Sequence, residues 1–249
     1  MQTSGKKAVI LLSGGLDSTT CLAQALADGH SVTCLTVDYG QKHAVELTAA
    51  RNVAEFYGIQ KHLIVPLPFF REIGGSSLTS NDAVPKNRVI GDDAAPSTES
   101  EIPTTYVPAR NLIFLSIAVA LAETRNIKKI YIGVNALDYS GYPDCRPEFL
   151  NAFESLANLA TKSGVEGTHL TVLAPLLSLT KTEIIRLGLS LHVDYGLTTS
   201  CYDPRETGQP CGECDSCLIR EAGFAAVNLP DPRVAAFMHS KETNCGSDC

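Results

Sequence analysis

Residues 8–18 read Ala8-Val9-Ile10-Leu11-Leu12-Ser13-Gly14-Gly15-Leu16-Asp17-Ser18. Five apolar residues, a glycine pair and a polar helix start predict a buried strand, a tight turn and a helix. The glycines reach backbone angles that a side chain forbids. The helix, expected from near Ser18, adds unpaired amides and the positive end of its dipole. A turn built this way holds phosphate. No Gly-Lys-Ser/Thr follows and no Gly-x-Gly-x-x-Gly is present, so neither a Walker A loop nor a dinucleotide fingerprint applies. The alternative without a ligand is a serine-capped helix after a strand.

Outward from this stretch, strands and helices alternate. Strands are expected at residues 6–12, 32–37, 63–65, 129–134 and 170–173. Helices are expected at 18–27, 43–57, 111–124, 148–162 and 180–187. Gly29, Gly58 and Gly188 stand where helices should stop, and Thr180 with Glu183 has capping-box spacing. This alternation predicts an α/β fold, a doubly wound and mostly parallel sheet covered on both faces. Periodicity fades over 66–105, where Gly, Ser, Asn, Asp and Pro dominate. A loop of that length is usually a lid, a binding loop or disordered. After about Thr198 the chain becomes cysteine-rich. Two units are therefore expected, 1–197 and 198–249.

The 249 residues carry a formal net charge of −7 and are 44% hydrophobic. That charge argues against broad binding to a nucleic-acid backbone, which needs a positive face. No apolar run is long enough to span a bilayer, and no export signal is visible, so a cytoplasmic location is expected. There are nine cysteines. Without an export signal, metal binding or catalysis suits them better than disulfides.

In a doubly wound sheet, ligands sit beyond the carboxyl ends of the strands. The Ser13–Ser18 turn, Val37-Asp38-Tyr39-Gly40-Gln41 and Gly133-Val134-Asn135 all fall there. Asp17 is a natural carboxylate for Mg²⁺, or simply a helix N-cap. Asp38 is a further candidate or a turn residue. Arg110 and Lys181 each open a helix, an unfavourable end for a cation unless an anion is nearby. For Arg110 the alternative is a surface pairing with a carboxylate, for Lys181 plain solvation. Residues 138–146 gather Asp138, Tyr139, Tyr142, Asp144 and Arg146, a set suited to a flat, hydrogen-bonding heterocycle or to a polar surface turn. Cys145 reads as a pocket wall, and His43 as pocket lining or a surface helix start.

Cys211-x-x-Cys214-x-x-Cys217, with Cys201 upstream, offers four thiolates. These can close a structural tetrahedral Zn²⁺ site. An iron–sulfur cluster competes for the same spacing.

The glycine turn resembles the pyrophosphate-binding loop of ATP pyrophosphatases. Four segments then carry a more specific resemblance: residues 13–22, 38–43, 106–111 and 138–149, completed by the cysteine quartet. Together they are similar to the 7-cyano-7-deazaguanine synthases of the queuosine pathway. Three departures stand out. Tyr106 and Ala109 replace a more usual Phe and Gly, residues 81–104 look long, and the tail with Cys245 and Cys249 is unfamiliar.

The resemblance implies an adenine nucleotide alpha hydrolase-like fold with a small C-terminal zinc-binding subdomain, and a homodimer. It implies an ATP-dependent ligase that joins ammonia to 7-carboxy-7-deazaguanine to make a nitrile, with Mg²⁺ and Zn²⁺ as cofactors. The nucleotide would contact Leu12, Ser13, Gly14, Gly15, Leu16, Asp17, Ser18, Thr19, Thr20, Cys21, Leu22, Asp38 and Tyr39. Lys181, Arg110 and Asp17 would act on the reacting groups. Asp138, Tyr142, Asp144 and Arg146 would hold the deazaguanine, and Cys201, Cys211, Cys214 and Cys217 the metal. The nearest rival is a tRNA-modifying thiolase or lysidine-forming enzyme of the same superfamily. A non-catalytic zinc-bearing interaction module is the rival from another class.

Overall fold

The computed structural model describes residues 6–41, 45–88, 102–136 and 141–237. Five strands form one sheet: β1 Lys7–Leu11, β2 Ser31–Asp38, β3 His62–Pro66, β4 Lys129–Ile132 and β5 Thr171–Leu173. All pair in parallel, in the order β3-β2-β1-β4-β5. The helices are α1 Leu16–Ala27, α2 Val45–Phe56, α3 Phe69–Ile73, α4 Arg110–Thr124, α5 Pro147–Ala160, α6 Lys162–Val165, α7 Lys181–Ser190 and α8 Asp215–Ala225.

The apolar runs become strands because both faces of the sheet are covered, as parallel sheets require. Successive side chains point to opposite faces. Ala8, Ile10 and Leu12 therefore join one core with Leu22 of α1, Val53 of α2, Ile184 of α7 and Phe224 of α8. Val9 joins the other with Leu115 of α4 and Phe153 of α5. Each fully buried Leu or Ile contributes roughly 1.5–3 kcal/mol, so the two layers hold the sheet without disulfides. The chain reverses its winding between β1 and β4, which are neighbours in the sheet. The carboxyl ends of these strands therefore splay apart and leave a crevice.

Two expectations need correction. The first helix begins at Leu16, not near Ser18: Gly15 supplies the extended N-cap and no side chain caps it. Gly188 does not stop α7, which continues to Ser190. A Cβ on Gly188 would lie 1.8 Å from Tyr195 Oη, so its glycine serves packing. The predicted capping box is present: Glu183 N–H donates to Thr180 Oγ1 at 3.3 Å, and Thr180 N–H donates to Glu183 Oε2 at 2.8 Å.

The described part of the long loop is not featureless. It carries α3, buries Ser76, Ser77, Leu78 and Val84, and reaches the cysteine segment. There Asn87 N–H donates to the Glu213 carbonyl and Lys86 pairs with Asp203. Residues 89–101 of the 66–105 stretch lie outside the described residues. So do His43, Asp138, Tyr139, Cys245 and Cys249.

Candidate active site

The turn between β1 and α1 is held by its own hydroxyls. Ser13 N–H donates to Ser18 Oγ at 3.2 Å, and Ser18 Oγ donates to the Gly15 carbonyl at 3.2 Å. Gly14 has φ of +83°, and a Cβ there would lie 2.4 Å from the Ala50 amide nitrogen. Only glycine allows both the angle and the contact with α2. The opening amides of α1 have no intrahelical acceptor; Gly15 offers no side-chain cap, and Leu16 N–H donates to Ser200 Oγ at 3.4 Å. The capped-helix alternative is therefore not what the chain adopts.

A cleft of about 250 Å³ opens in front of this turn. Leu12, Ser13, Gly15, Leu16, Asp17 and Ser18 line one side. Gly133, Val134 and Asn135, from the end of β4, line the floor together with Cys145. Asn135 is fixed by donating from Nδ2 to the Leu179 carbonyl at 2.6 Å. Arg110, the first residue of α4, also lines the cleft, with Tyr39 and Tyr142 beside it. Its guanidinium carbon is 5.7 Å from each tyrosine ring centroid. A cation held against two aromatic rings keeps its charge and loses its freedom. Tyr142 Oη in turn donates to Thr105 Oγ1 at 2.8 Å.

Ala109, just before Arg110, has φ of +57°, the left-handed region that favours glycine. The amide of Ala109 donates to Tyr106 Oη at 3.2 Å. The two departures noted in this segment thus meet: the tyrosine hydroxyl holds the strained alanine.

Lys181 Nζ donates to both oxygens of Asp17, at 2.7 and 2.8 Å. Both residues line a smaller recess beside the cleft, with Ser200, Tyr202 and Ser216. A residue from the first turn of α1 and one from the first turn of α7, far apart in sequence, are so brought to one point.

Other expected site residues lie elsewhere. Thr19, Thr20, Cys21 and Leu22 are buried on α1 and do not line the cleft. Thr20 Oγ1 donates to the Leu16 carbonyl at 2.9 Å and lies 2.8 Å from Tyr195 Oη. Burial pushes the Cys21 thiol far up, so it is a core residue. Asp38 closes its own turn, accepting from Gly40 N–H at 3.3 Å. Asp144 is buried and accepts from Asn111 N–H at 2.9 Å, satisfying an opening amide of α4. Its Oδ1 has no hydrogen-bond partner among the described residues. Arg146 is exposed and serves as the N-cap residue of α5.

Several residues of the cleft escaped sequence reasoning, Glu46 and Thr199 among them. Glu46, in the first turn of α2, lines it, and burial pushes its carboxyl up to about 7, while Arg110 draws it down only in part. Its position in the first turn of the helix that follows β2 was the signal that could have found it. Thr199 lines the cleft too, placed by donating its amide to the Gly14 carbonyl at 3.0 Å. Nothing in its own segment marks it.

Cys201, Cys211, Cys214 and Cys217 come together with all four Sγ atoms within 4.8 Å of one another. Tetrahedral Zn–S bonds of about 2.3 Å require sulfurs about 3.8 Å apart. Cys211 and Cys217 stand at 3.9 Å. Backbone amides donate to the sulfurs: Cys211 N–H to Cys201 at 3.3 Å, and Cys214 N–H to Cys211 at 3.3 Å. Hydrogen bonding among Cys201, Cys214 and Cys217 holds the Cys214 thiol below its usual range and pushes the other two above theirs. Four buried or half-buried thiols sharing charge in this way fit a metal ion, which takes over from the shared protons.

Arg220 locks this region to the body. It pairs with Asp231 at 2.7 and 2.9 Å and donates to the Tyr195 carbonyl at 2.9 Å. Among the described residues, no helix is long and apolar enough to cross a membrane.

Comparison with known proteins places the whole arrangement. The family model described as queuosine biosynthesis protein QueC matches residues 7–228. A 7-cyano-7-deazaguanine synthase of Myxococcus xanthus is 58% identical over 229 residues, covering 91% of this chain and 96% of the relative. Synthases of the same name from Solidesulfovibrio magneticus and Syntrophotalea carbinolica are also 58% identical, over 91% and 93% of this chain and 94% and 97% of theirs.

Proposed function

This chain belongs to the QueC family of queuosine biosynthesis proteins, and from that premise we propose its reaction. It converts 7-carboxy-7-deazaguanine, ammonia and ATP into 7-cyano-7-deazaguanine. One observation carries this reading. The Ser13–Ser18 turn, whose helix has no side-chain cap from Gly15, lines the same cleft as Arg110, Tyr39 and Tyr142.

A carboxylate is a poor electrophile because oxide would have to leave. Transfer of the adenylyl group to the acid oxygen makes that oxygen a good leaving group, and pyrophosphate departs. Ammonia attacks the carbonyl carbon, AMP leaves, and the amide remains. A second activation, at the amide oxygen, followed by loss of that oxygen and two protons from nitrogen gives the nitrile. Two similar activations use one site.

In this reading the amides of Ser13–Ser18 hold the β and γ phosphates. Lys181 and Arg110 offset the charge that grows at the α phosphate. Asp17 is the carboxylate for Mg²⁺, which when bound screens the polyphosphate. Tyr39 and Tyr142 offer ring faces to the deazaguanine. The catalysis is positioning, electrostatics and exclusion of water rather than covalent attack by a side chain.

Zn²⁺ is the ion we assign to the cysteine quartet, since a closed four-thiolate site is structural. The substrate is a free small molecule, in keeping with a net charge of −7. We also assign the protein to the cytoplasm, as a homodimer.

The test is product analysis. Incubation with the acid, ammonium and MgATP should yield the nitrile, pyrophosphate and AMP by mass spectrometry and phosphorus NMR. ADP and phosphate without AMP would remove α-phosphate attack from the mechanism.

A further inference from the structure

Beside the main cleft lies a side pocket of about 10 Å³, between the start of α2 and the Thr199–Tyr202 segment. Tyr39, Gln41, Glu46, Leu78, Thr199 and Tyr202 line both spaces, so the two are continuous. A volume of that size holds one water-sized molecule and no more. Neither a heterocycle nor a phosphate fits.

Thr199 is 2% exposed, and its Oγ1 has no hydrogen-bond partner among the described residues. A buried hydroxyl left in this state asks for a small partner. Glu46 lines the same pocket. Burial raises the proton affinity of its carboxylate, and the nearby Arg110 offsets this only in part. A carboxylate in that position attracts a small cation that donates hydrogen bonds.

We propose that this side pocket is the ammonia subsite, in which the Glu46 carboxylate and the Thr199 hydroxyl accept hydrogen bonds from the ammonium ion, and Glu46 takes one of its protons so that the lone pair of neutral ammonia is free to attack from beside the cleft. The assignment rests on the reaction proposed above. It separates the two nitrogen-handling tasks of the site: the large cleft takes ATP and the acid, and the small recess takes the nucleophile.

The experiment uses two near-isosteric variants of the full chain, Glu46→Gln and Thr199→Val, with two readouts. The first is acid-dependent exchange of labelled pyrophosphate into ATP without ammonium, which reports adenylation alone. The second is the initial rate of nitrile formation against ammonium concentration. The KM for ammonium should rise by about tenfold or more in each variant. Circular dichroism shows that the variants fold, and in each the ammonium KM should change by a larger factor than either pyrophosphate exchange or the KM for ATP. An unchanged ammonium KM in either variant overturns the assignment and leaves a structural water in the recess. A fall in exchange with no change in ammonium KM overturns it in favour of a contact to the acid. Absence of both exchange and nitrile in the unaltered protein defeats the reaction itself, a result distinct from either of these.

Discussion

Lys181 and Asp17 form a two-point ion pair at 2.7 and 2.8 Å, joining the first turns of two helices that are 164 residues apart in sequence. Neither end is a natural place for a lysine, since Lys181 sits at the positive pole of α7. The pair stands beside the turn that would hold the outer phosphates, so both members can exchange partners there when an anion and a cation enter together. Lys181→Ala should lower kcat for nitrile formation by about 10²–10³-fold while the protein still folds. Steady-state kinetics with circular dichroism checks this. Loss of less than about threefold would remove Lys181 from the reaction.

Glu46 gives a pH signature with a fixed sign. Its carboxyl rises from 4.5 to about 7 on folding. A raised acid favours the protonated folded form, so stability is complete below about pH 4.5 and is lost as pH climbs to about 7, then stays level. The charges that face it are Arg110 and the phenol of Tyr39, which remains neutral over this range. Glu46→Gln should therefore stabilise the protein at pH 8 by on the order of 2 kcal/mol and leave it nearly unchanged at pH 4.5. Urea unfolding at the two pH values is the measurement. A gain of equal size at both would refute the electrostatic cause.

The cysteine quartet should hold one metal ion per chain, colourless if it is zinc and brown if it is an iron–sulfur cluster. Chelation of the metal, or Cys214→Ser, should destabilise the fold. Even a loss of about 4 kcal/mol, well below what zinc contributes in isolated fingers, lowers Tm by about 10 °C in a chain this size. Elemental analysis and calorimetry decide the matter. A full-strength unfolding transition after complete metal removal would contradict a structural role.

Ala109 occupies a left-handed angle, φ of +57°. Replacing it with glycine removes the Cβ clash but adds freedom to the unfolded chain, so Ala109→Gly should stabilise by up to about 1 kcal/mol. Tyr106→Phe removes the hydroxyl that accepts the Ala109 amide and should cost about 1 kcal/mol. Together the two changes should nearly cancel in Tm.

Arg220 and Asp231 are both more than nine-tenths buried. Asp231→Ala leaves a buried guanidinium with only Thr198, Ser200 and the Tyr195 carbonyl as partners. Such a change should cost about 3–5 kcal/mol, read by denaturant unfolding, and should loosen the cysteine segment first.

What the chain declares in its own order is local and periodic. Runs such as Val9–Leu12 can only be buried strands, the Gly14–Gly15 pair can only be a tight turn, and the Cys211-x-x-Cys214-x-x-Cys217 spacing brings sulfurs together. These follow from backbone sterics, side-chain period and ligand reach, all of which act over a few residues. Helix starts and stops were legible only to within a turn, because Gly15 and Gly188 carry no sign of whether they cap or pack. The partnership of Lys181 with Asp17, the two tyrosines beside Arg110 and the meeting of Glu46 with Thr199 were decided by the tertiary structure alone. Each joins elements that the strand order β3-β2-β1-β4-β5 brings to one edge, and no rule of neighbouring residues contains that order.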